Sequence, residues 1–194
     1  MHQIQCQCGT VKGHIQDEGP CNRIMCYCAD CQAFAKFLGH ADEILDTQGG
    51  TEIVQVAQPR LTFSQGKEYI NVVRLSDKGI LRWYASCCNT AIGNTPIDHK
   101  SSFVGLIHSS LDRSMIDTDF GKNIAMLETG AAKGEPKPKQ SGLFGAIARF
   151  LLITLTTRIS GKYKKSQLFD ESGNPVVKPK VLTAEELKSL QSTI

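Results

Sequence analysis

The sequence predicts a mainly β domain followed by a basic helical extension, and three observations support this fold class. Up to about residue 111 the chain consists of short alternating or β-branched stretches separated by turn-forming residues. One stretch in this part, Cys31–Leu38, is instead rich in helix formers and stops at Gly39. Beyond residue 142, apolar residues recur at spacings of three and four, which is typical of a helix.

The predicted strands are short segments that turn formers separate. In chain order they are QIQCQC, TVKGHI, NRIMCYC, TEIVQVA, LTFS, INVVRLS, ILRWYAS and FVGLIH. We expect them to form mostly antiparallel sheet. With 194 residues, of which 41% are hydrophobic, the chain can bury a core, and this excludes a disordered protein.

A change in composition divides the chain. Residues 129–142 read TGAAKGEPKPKQSG, which can bury little apolar surface and predicts a linker. We therefore expect one domain over 1–128 and an extension over 143–194. Residues 1–128 carry 11 Lys and Arg against 14 Asp and Glu, whereas the remainder carries 11 against 5. A basic extension often contacts an anionic surface, such as a membrane or nucleic acid, although a solvated basic face is the commoner outcome.

The extension begins with a predicted amphipathic helix. Its predicted apolar stripe is formed by Leu143, Ile147, Phe150, Leu151, Leu155 and Ile159. The apolar run between Arg149 and Arg158 is too short for a membrane span, which needs about 20 residues. Two alternatives remain open: the stripe docks on the domain, or residues 143–165 lie in a membrane interface. Further on, 170–175 predicts a turn, and Thr183–Glu186 predicts the capping box of a short helix.

Eight cysteines occur in tight local groups. The chain opens with MHQIQCQCG, which has no features of a secretion signal, so we expect a cytoplasmic protein. In that setting grouped cysteines indicate metal-binding thiolates and not disulfides.

The first and third groups are candidates for a closed metal site. Cys6 and Cys8 are separated by one residue and followed by Gly9, which supplies half of a metal knuckle. A structural zinc site usually has four ligands, and the candidates for the other two are Cys87 and Cys88. Such a site would join both ends of the domain, and metal binding would contribute to folding.

The second group is a candidate for an open site. Cys26, Cys28 and Cys31 supply three thiols from one short loop, and a zinc ion with three protein ligands keeps a position for water or a substrate. The alternative is a structural site that a distant residue completes, such as His40 or Cys21. Asp30 lies inside this loop and is a candidate to orient a ligand.

Taken together, CQCGTV, CYCADCQAF and WYASCCNTAIG resemble the family of glutathione-dependent formaldehyde-activating enzymes, which includes the centromere protein V domain. The resemblance covers about residues 4–108. It implies a β-tent fold and one or two zinc ions per chain. By this likeness Cys6 and Cys8 belong to a structural zinc site, and Cys26, Cys28 and Cys31 to the reactive one.

The third motif departs from the family pattern. Aligning it with the family places Cys88 at the second ligand position and Ala85 where the first cysteine is expected. Cys87 replaces that cysteine only if the turn shifts, because adjacent side chains in a strand point to opposite faces. Asn89 stands where the family has glycine, and Asn tolerates the left-handed conformation better than most residues.

The resemblance implies that a small thiol such as glutathione adds to a small aldehyde, which is the carbon-sulfur lyase chemistry of an S-hydroxymethylglutathione synthase. One alternative is a non-catalytic, zinc-stapled interaction module that acts through its basic tail. Another is a redox sensor that releases metal when Cys26 or Cys28 is oxidised.

Overall fold

The computed structural model describes residues 1–16 and 19–192. The strands are β1 (His2–Gln5), β2 (Lys12–Ile15), β3 (Cys21–Cys26), β4 (Thr51–Ala57), β5 (Leu61–Gln65), β6 (Ile70–Arg74), β7 (Leu81–Ala85), β8 (Thr90–Thr95), β9 (Phe103–Ile107), β10 (Ile124–Leu127) and β11 (Lys180–Val181). The helices are α1 (Ala29–Leu38), α2 (Ala41–Ile44), α3 (Ile116–Phe120), α4 (Leu143–Ile159) and α5 (Ala184–Ser192).

The strands form two sheets, so the prediction of a mainly β protein is confirmed. The small sheet has the order β1-β2-β5, and the large one the order β10-β3-β4-β9-β8-β7-β6-β11. The large sheet is mixed, because β10 pairs with β3 and β11 pairs with β6 in parallel. The expected antiparallel pairing is confirmed among β1–β9, whereas the two parallel pairs involve β10 and β11, which were not among the predicted strands. Both added strands come from the later part of the chain and reach the sheet through long connections, which permit either direction.

Apolar cores lie on both faces of the large sheet. The larger core lies between the two sheets and includes Ile15, Val54 and Trp83, each completely buried. The second core lies beneath α1 and includes Phe34 and Ile107. Because successive residues of a strand point to opposite faces, Val54 and its neighbour Ile53 serve different sides. The sheet is thus held between a second sheet and a layer of helices.

Helix α1 begins at a cysteine and ends at a glycine, close to the predicted bounds. The side chain of Cys28 accepts a hydrogen bond from the backbone N–H of Cys31 and caps the first turn. Gly39 ends the helix with φ of 78°, a left-handed conformation that glycine adopts without strain. The predicted helix over Cys31–Leu38 is confirmed, with a start two residues earlier. The cap places two cysteine sulfurs at one helix end.

The segment after residue 128 lies against the sheets and helices of the preceding part. Leu168 and Phe169 are buried in the larger core, and Gln32 donates a hydrogen bond to the carbonyl of Ala131. The predicted capping box is confirmed: Thr183 and Glu186 exchange hydrogen bonds between backbone N–H and side-chain oxygen. Strand β11 pairs with β6, and α5 contacts α1, so this packing extends to residue 192.

Helix α4 forms as predicted, but the predicted apolar stripe is not the side that packs. The buried residues are Ala146, Ile153 and Thr157. Five members of the predicted stripe are exposed, namely Leu143, Ile147, Leu151, Leu155 and Ile159. Phe150 is half-buried, with its ring 4.9 Å from that of Phe103. The prediction was wrong because the helix is apolar on two sides, and small side chains on one side permit closer approach to the sheet.

Across residues 1–16 and 19–192, no helix combines the length and the apolar character that crossing a membrane requires.

Candidate metal centres

Four cysteine sulfurs from two distant segments meet at one end of the fold, and we call this group the closed cluster. Its members are Cys6, Cys8, Cys87 and Cys88, whose sulfurs all lie within 4.8 Å of one another. The Cys8 and Cys87 sulfurs are 3.4 Å apart, and those of Cys6 and Cys87 are 3.8 Å apart. In a tetrahedron with zinc–sulfur bonds of about 2.3 Å, the sulfurs lie about 3.8 Å apart. The separations therefore fit one tetrahedral ion.

Hydrogen bonds shape both turns of the closed cluster. The backbone N–H of Val11 donates to the Cys6 sulfur at 3.2 Å, and Gly9 closes the first turn with φ of 75°. Thr90 links the turns, because its hydroxyl accepts from the N–H of Gln7 and lies 3.1 Å from the Cys88 sulfur. The turns thus stabilise each other before any ion is considered.

The departures in the third motif are accommodated by the turn after β7. Ala85 is the last residue of β7 and is buried, whereas Cys87 and Cys88 lie in the turn itself. In a turn, adjacent side chains need not point to opposite faces, so both sulfurs reach the cluster. Asn89 has φ of 54°, which is the left-handed conformation predicted for this position.

Three sulfurs from one short segment form a second group, which we call the open cluster. Cys26 ends β3, Cys28 caps α1 and Cys31 lies in the first turn of α1, and their sulfurs lie within 4.8 Å of one another. Cys31 is buried, while Cys26 and Cys28 are half-buried. The strand end and the helix start therefore bring the three thiols together while part of the group remains open to solvent.

The open cluster gains no fourth ligand from the candidates that the sequence suggested. In the part of the chain that is described, no further His, Cys, Asp or Glu atom lies within 4.8 Å of all three sulfurs. His40 instead contacts the closed cluster's turn, with Nε2 3.1 Å from the carbonyl of Cys88. Cys21 lies at the opposite end of β3, and its thiol donates to the carbonyl of Phe120. Among the described residues, the alternative in which His40 or Cys21 completes this site therefore finds no support.

A buried arginine contacts the open cluster, and the sequence analysis missed it. Nη1 of Arg82 lies 3.9 Å from the Cys31 sulfur, and Nη2 lies 3.5 Å from Asp30. The guanidinium also donates to Asn94 and lies over the ring of Phe34. Asp30 therefore lies beside this site as an ion-pair partner of Arg82. The motif gives no signal for this contact, because Arg82 lies within an alternating strand 51 residues away from Cys31.

The three thiols of the open cluster shift one another's pKa values. Hydrogen bonds from Cys26 and Cys31 lower the pKa of Cys28, whereas the bond to Cys28 raises the pKa of Cys26. Hydrogen bonds with Cys26 and Cys28, together with burial, raise the pKa of Cys31. In the closed cluster, the Thr10 hydroxyl lowers the pKa of Cys8 to about 6. Ionising all three thiols of the open cluster thus calls for a nearby positive charge.

The chemistry of both clusters fits a metal ion. All eight cysteines are free thiols, and the sulfur separations of 3.4–3.9 Å in the closed cluster exceed a disulfide bond of about 2.05 Å. Thiolate sets of this kind favour soft and borderline ions, and four sulfurs in a tetrahedron are typical of zinc. Either cluster could hold a metal ion.

Comparisons with known proteins identify the family. A model of a family of unknown function, DUF6151, matches residues 1–177. The chain belongs to DUF6151. The DUF6151 match includes both clusters, Arg82 and α4, and it ends before β11 and α5. No curated protein matches the sequence significantly.

One solved structure is similar to this DUF6151 chain. It is a crystal structure of a Rhodobacter sphaeroides protein, a structural genomics target, with 15% sequence identity and a TM-score of 0.41. The similarity covers 63% of this chain and 97% of that one.

Proposed function

We propose that this chain is a zinc protein in which the closed cluster holds a structural ion and the open cluster binds a small thiol, such as glutathione, and promotes its addition to a small aldehyde. The observation that carries the proposal is the difference in ligand number. Four thiols converge in one cluster, while three converge in the other without a fourth ligand from the described residues. Three protein ligands are typical of a catalytic zinc site.

The sequence resemblance supports the same chemistry. The motifs CQCGTV, CYCADCQAF and WYASCCNTAIG resemble glutathione-dependent formaldehyde-activating enzymes, and their cysteines are those that form the two clusters. We further propose that the two sheets, which meet over one core, form the β-tent of that family. The convergence of Cys87 and Cys88 supports a structural site despite the alanine at position 85.

The chain's own residues would divide the work at the open cluster. A bound zinc ion would supply a Lewis acid that stabilises the substrate thiol as a thiolate. Cys26, Cys28 and Cys31 would hold that ion, and three thiolates on a divalent ion leave one net negative charge. The guanidinium of Arg82, 3.9 Å from the Cys31 sulfur, would offset this charge.

The addition balances without an oxidant or a reductant. The thiol loses its proton, its sulfur bonds to the aldehyde carbon, and the π electrons of the carbonyl move to oxygen. That oxygen then takes up one proton, so the product is a hemithioacetal, which for formaldehyde is a hydroxymethyl thioether.

Thr51 lies opposite Cys26 in the β3–β4 pairing, and its buried hydroxyl has no hydrogen-bond partner among the described residues. We propose that this hydroxyl contacts a group bound at the open position.

The test is an exchange measurement on the zinc-loaded full chain. NMR magnetisation exchange between ¹³C-formaldehyde and its glutathione adduct gives the rate of adduct formation with and without protein. We expect acceleration by the wild type, loss of the acceleration in Cys28→Ser, and retention in Cys21→Ser, which changes a cysteine outside both clusters.

Unaltered exchange with zinc-loaded wild type, together with no heat on titration with glutathione, would overturn the proposal. That result would favour the alternative of a non-catalytic, zinc-stapled interaction module.

A further inference from the structure

Helix α4 has apolar side chains on two opposite sides. One side packs on the sheet through Ala146, Ile153 and Thr157. The other side, which we call the outward face, consists of Phe144, Ile147, Leu151, Leu152, Leu155 and Ile159, all of them exposed. Phe144 is 87% exposed and Ile159 is 85% exposed. An apolar surface at both ends and along the middle of a helix is typical of a helix that is covered on both sides.

The outward face is continuous along the helix. Residues 144, 147, 151, 155 and 159 follow spacings of three and four, so their side chains lie on one side. The fifteen intervals between the first and the last of these residues span about 22 Å at 1.5 Å per residue. A contiguous exposed apolar surface of this kind commonly marks a protein or membrane interaction site.

The segment that carries α4 is strongly basic. Between Glu135 and Asp170 the sequence has seven Lys and Arg residues and neither Asp nor Glu. The basic residues are Lys137, Lys139, Arg149, Arg158, Lys162, Lys164 and Lys165. Lysines 162, 164 and 165 follow directly on the C-terminal end of the helix and are exposed. Basic residues thus precede and follow the apolar face in the sequence, and three exposed lysines lie just beyond its C-terminal end.

This charge distinguishes between two occupants of the outward face. A second copy of the chain would bring another segment with seven positive charges to the same interface, and like charges across an interface oppose association. The headgroups of an anionic membrane would instead neutralise the lysines. The arrangement also matches an interfacial helix, in which an apolar face enters the bilayer boundary and basic residues contact the headgroups.

We propose that the outward face of α4 binds in the plane of an anionic membrane. The apolar side chains enter the boundary between headgroups and acyl chains, and Lys162, Lys164 and Lys165 contact the lipid phosphates. The inner side of the helix stays on the sheet, so the folded domain is held at the membrane surface. This inference is independent of the chemistry proposed for the open cluster.

The test is co-sedimentation of the zinc-loaded full chain with vesicles. We expect binding to phosphatidylcholine vesicles that contain phosphatidylglycerol, and weak binding to phosphatidylcholine alone. Leu151→Ser reduces partitioning by about tenfold, because one large apolar side chain leaves the boundary. Replacing Lys164 and Lys165 by Gln reduces it by about fivefold per lysine and weakens its dependence on salt. The matched control is Ile97→Ser, which changes an apolar residue that lies outside α4 and is 46% exposed.

A second readout locates the helix directly. The chain's single tryptophan, Trp83, is completely buried, so its emission is a constant background. In Phe144→Trp we expect a blue shift with anionic vesicles, and in Ile97→Trp no shift. Equal binding of wild type and Leu151→Ser to anionic vesicles would overturn the proposal. A failure of wild type to bind anionic vesicles would also overturn it. The same holds if wild type fails to bind but forms a concentration-dependent dimer that Leu151→Ser dissociates.

Discussion

The two cysteine clusters are built from similar parts but connect the chain in different ways. The closed cluster joins Cys8 to Cys87 across 79 positions, whereas the open cluster lies within the six residues from Cys26 to Cys31. In a loop-closure estimate, (3/2)RT ln(79/5), the longer connection constrains the unfolded chain by about 2.4 kcal/mol more. An ion at the closed cluster would thus stabilise the fold, whereas an ion at the open cluster would order a segment that strand and helix already position. Ligand number and loop length both support the proposed division of roles.

The largest expected effect is on stability, from removing one ligand of the closed cluster. We expect Cys88→Ser to lower the free energy of unfolding by about 5 kcal/mol or more, because structural zinc contributes about 10–16 kcal/mol in small domains. Denaturant unfolding at fixed zinc concentration measures this change. Cys21→Ser is the control, since Cys21 belongs to neither cluster. An unfolding midpoint equal to that of wild type would contradict a stabilising role.

The matching change in the open cluster separates chemistry from folding. We expect Cys28→Ser to abolish the proposed thiol–aldehyde activity and to lower the free energy of unfolding by less than about 2 kcal/mol, because serine is itself a preferred N-cap and can accept the same bond from the backbone N–H of Cys31. The same unfolding experiment measures the second quantity. A loss as large as that in Cys88→Ser would show that both clusters are structural.

A smaller effect is expected where Arg82 contacts the open cluster. We expect Arg82→Met to weaken metal binding there by about 10- to 100-fold, as is typical for groups that contact metal ligands. Competition with a chromophoric chelator measures both affinities in one titration. Arg82→Lys should restore part of the affinity, because it retains the charge. Equal weakening at both clusters would indicate general destabilisation.

Gly50 tests how tightly the open cluster is packed. A Cβ at this position would lie 2.6 Å from the ring of Tyr27, the residue between Cys26 and Cys28. We therefore expect Gly50→Ala to cost about 1–3 kcal/mol of stability, as overpacking does. Thermal unfolding measures the cost, and Gly130→Ala is the control because its Cβ would meet nothing within 4 Å. Equal stability of the two variants would contradict close packing around Tyr27.

The smallest effect is expected at the turn of the closed cluster. Asn89 has φ of 54°, so Asn89→Ala should cost about 1 kcal/mol, whereas Asn89→Gly should remain within about 0.5 kcal/mol of wild type. Denaturant unfolding of the pair measures the difference. A more stable alanine variant would contradict a left-handed conformation at this turn.

The sequence predicted the features that depend on local signals. The bounds of α1, the capping box at Thr183 and the grouping of seven cysteines follow from residue type and spacing over a few positions. The parallel strands β10 and β11 were missed, because pairing across long connections leaves no local pattern. The convergence of Cys87 and Cys88 depended on the turn that begins directly after β7, where adjacent side chains need not point to opposite faces.

Two other features required the folded structure. Periodicity could not predict which side of α4 packs, because both sides are apolar. The small residues Ala146 and Thr157 allow their side of the helix to lie close to the sheet. The contact of Arg82 with Cys31 joins two segments 51 positions apart, and an arginine within a strand is ordinarily exposed. Candidate ligands were thus evident from the sequence, whereas the groups around them were not.

The most direct test of two distinct metal sites is the metal content of anaerobically purified protein, determined by elemental analysis for wild type, Cys28→Ser and Cys88→Ser. We expect two zinc ions per chain in wild type, and we expect each variant to lose a different one, with the site identified by which cysteines stay protected from a thiol reagent. A single zinc ion in wild type that both substitutions remove, or that neither removes, would contradict the division into a closed and an open site.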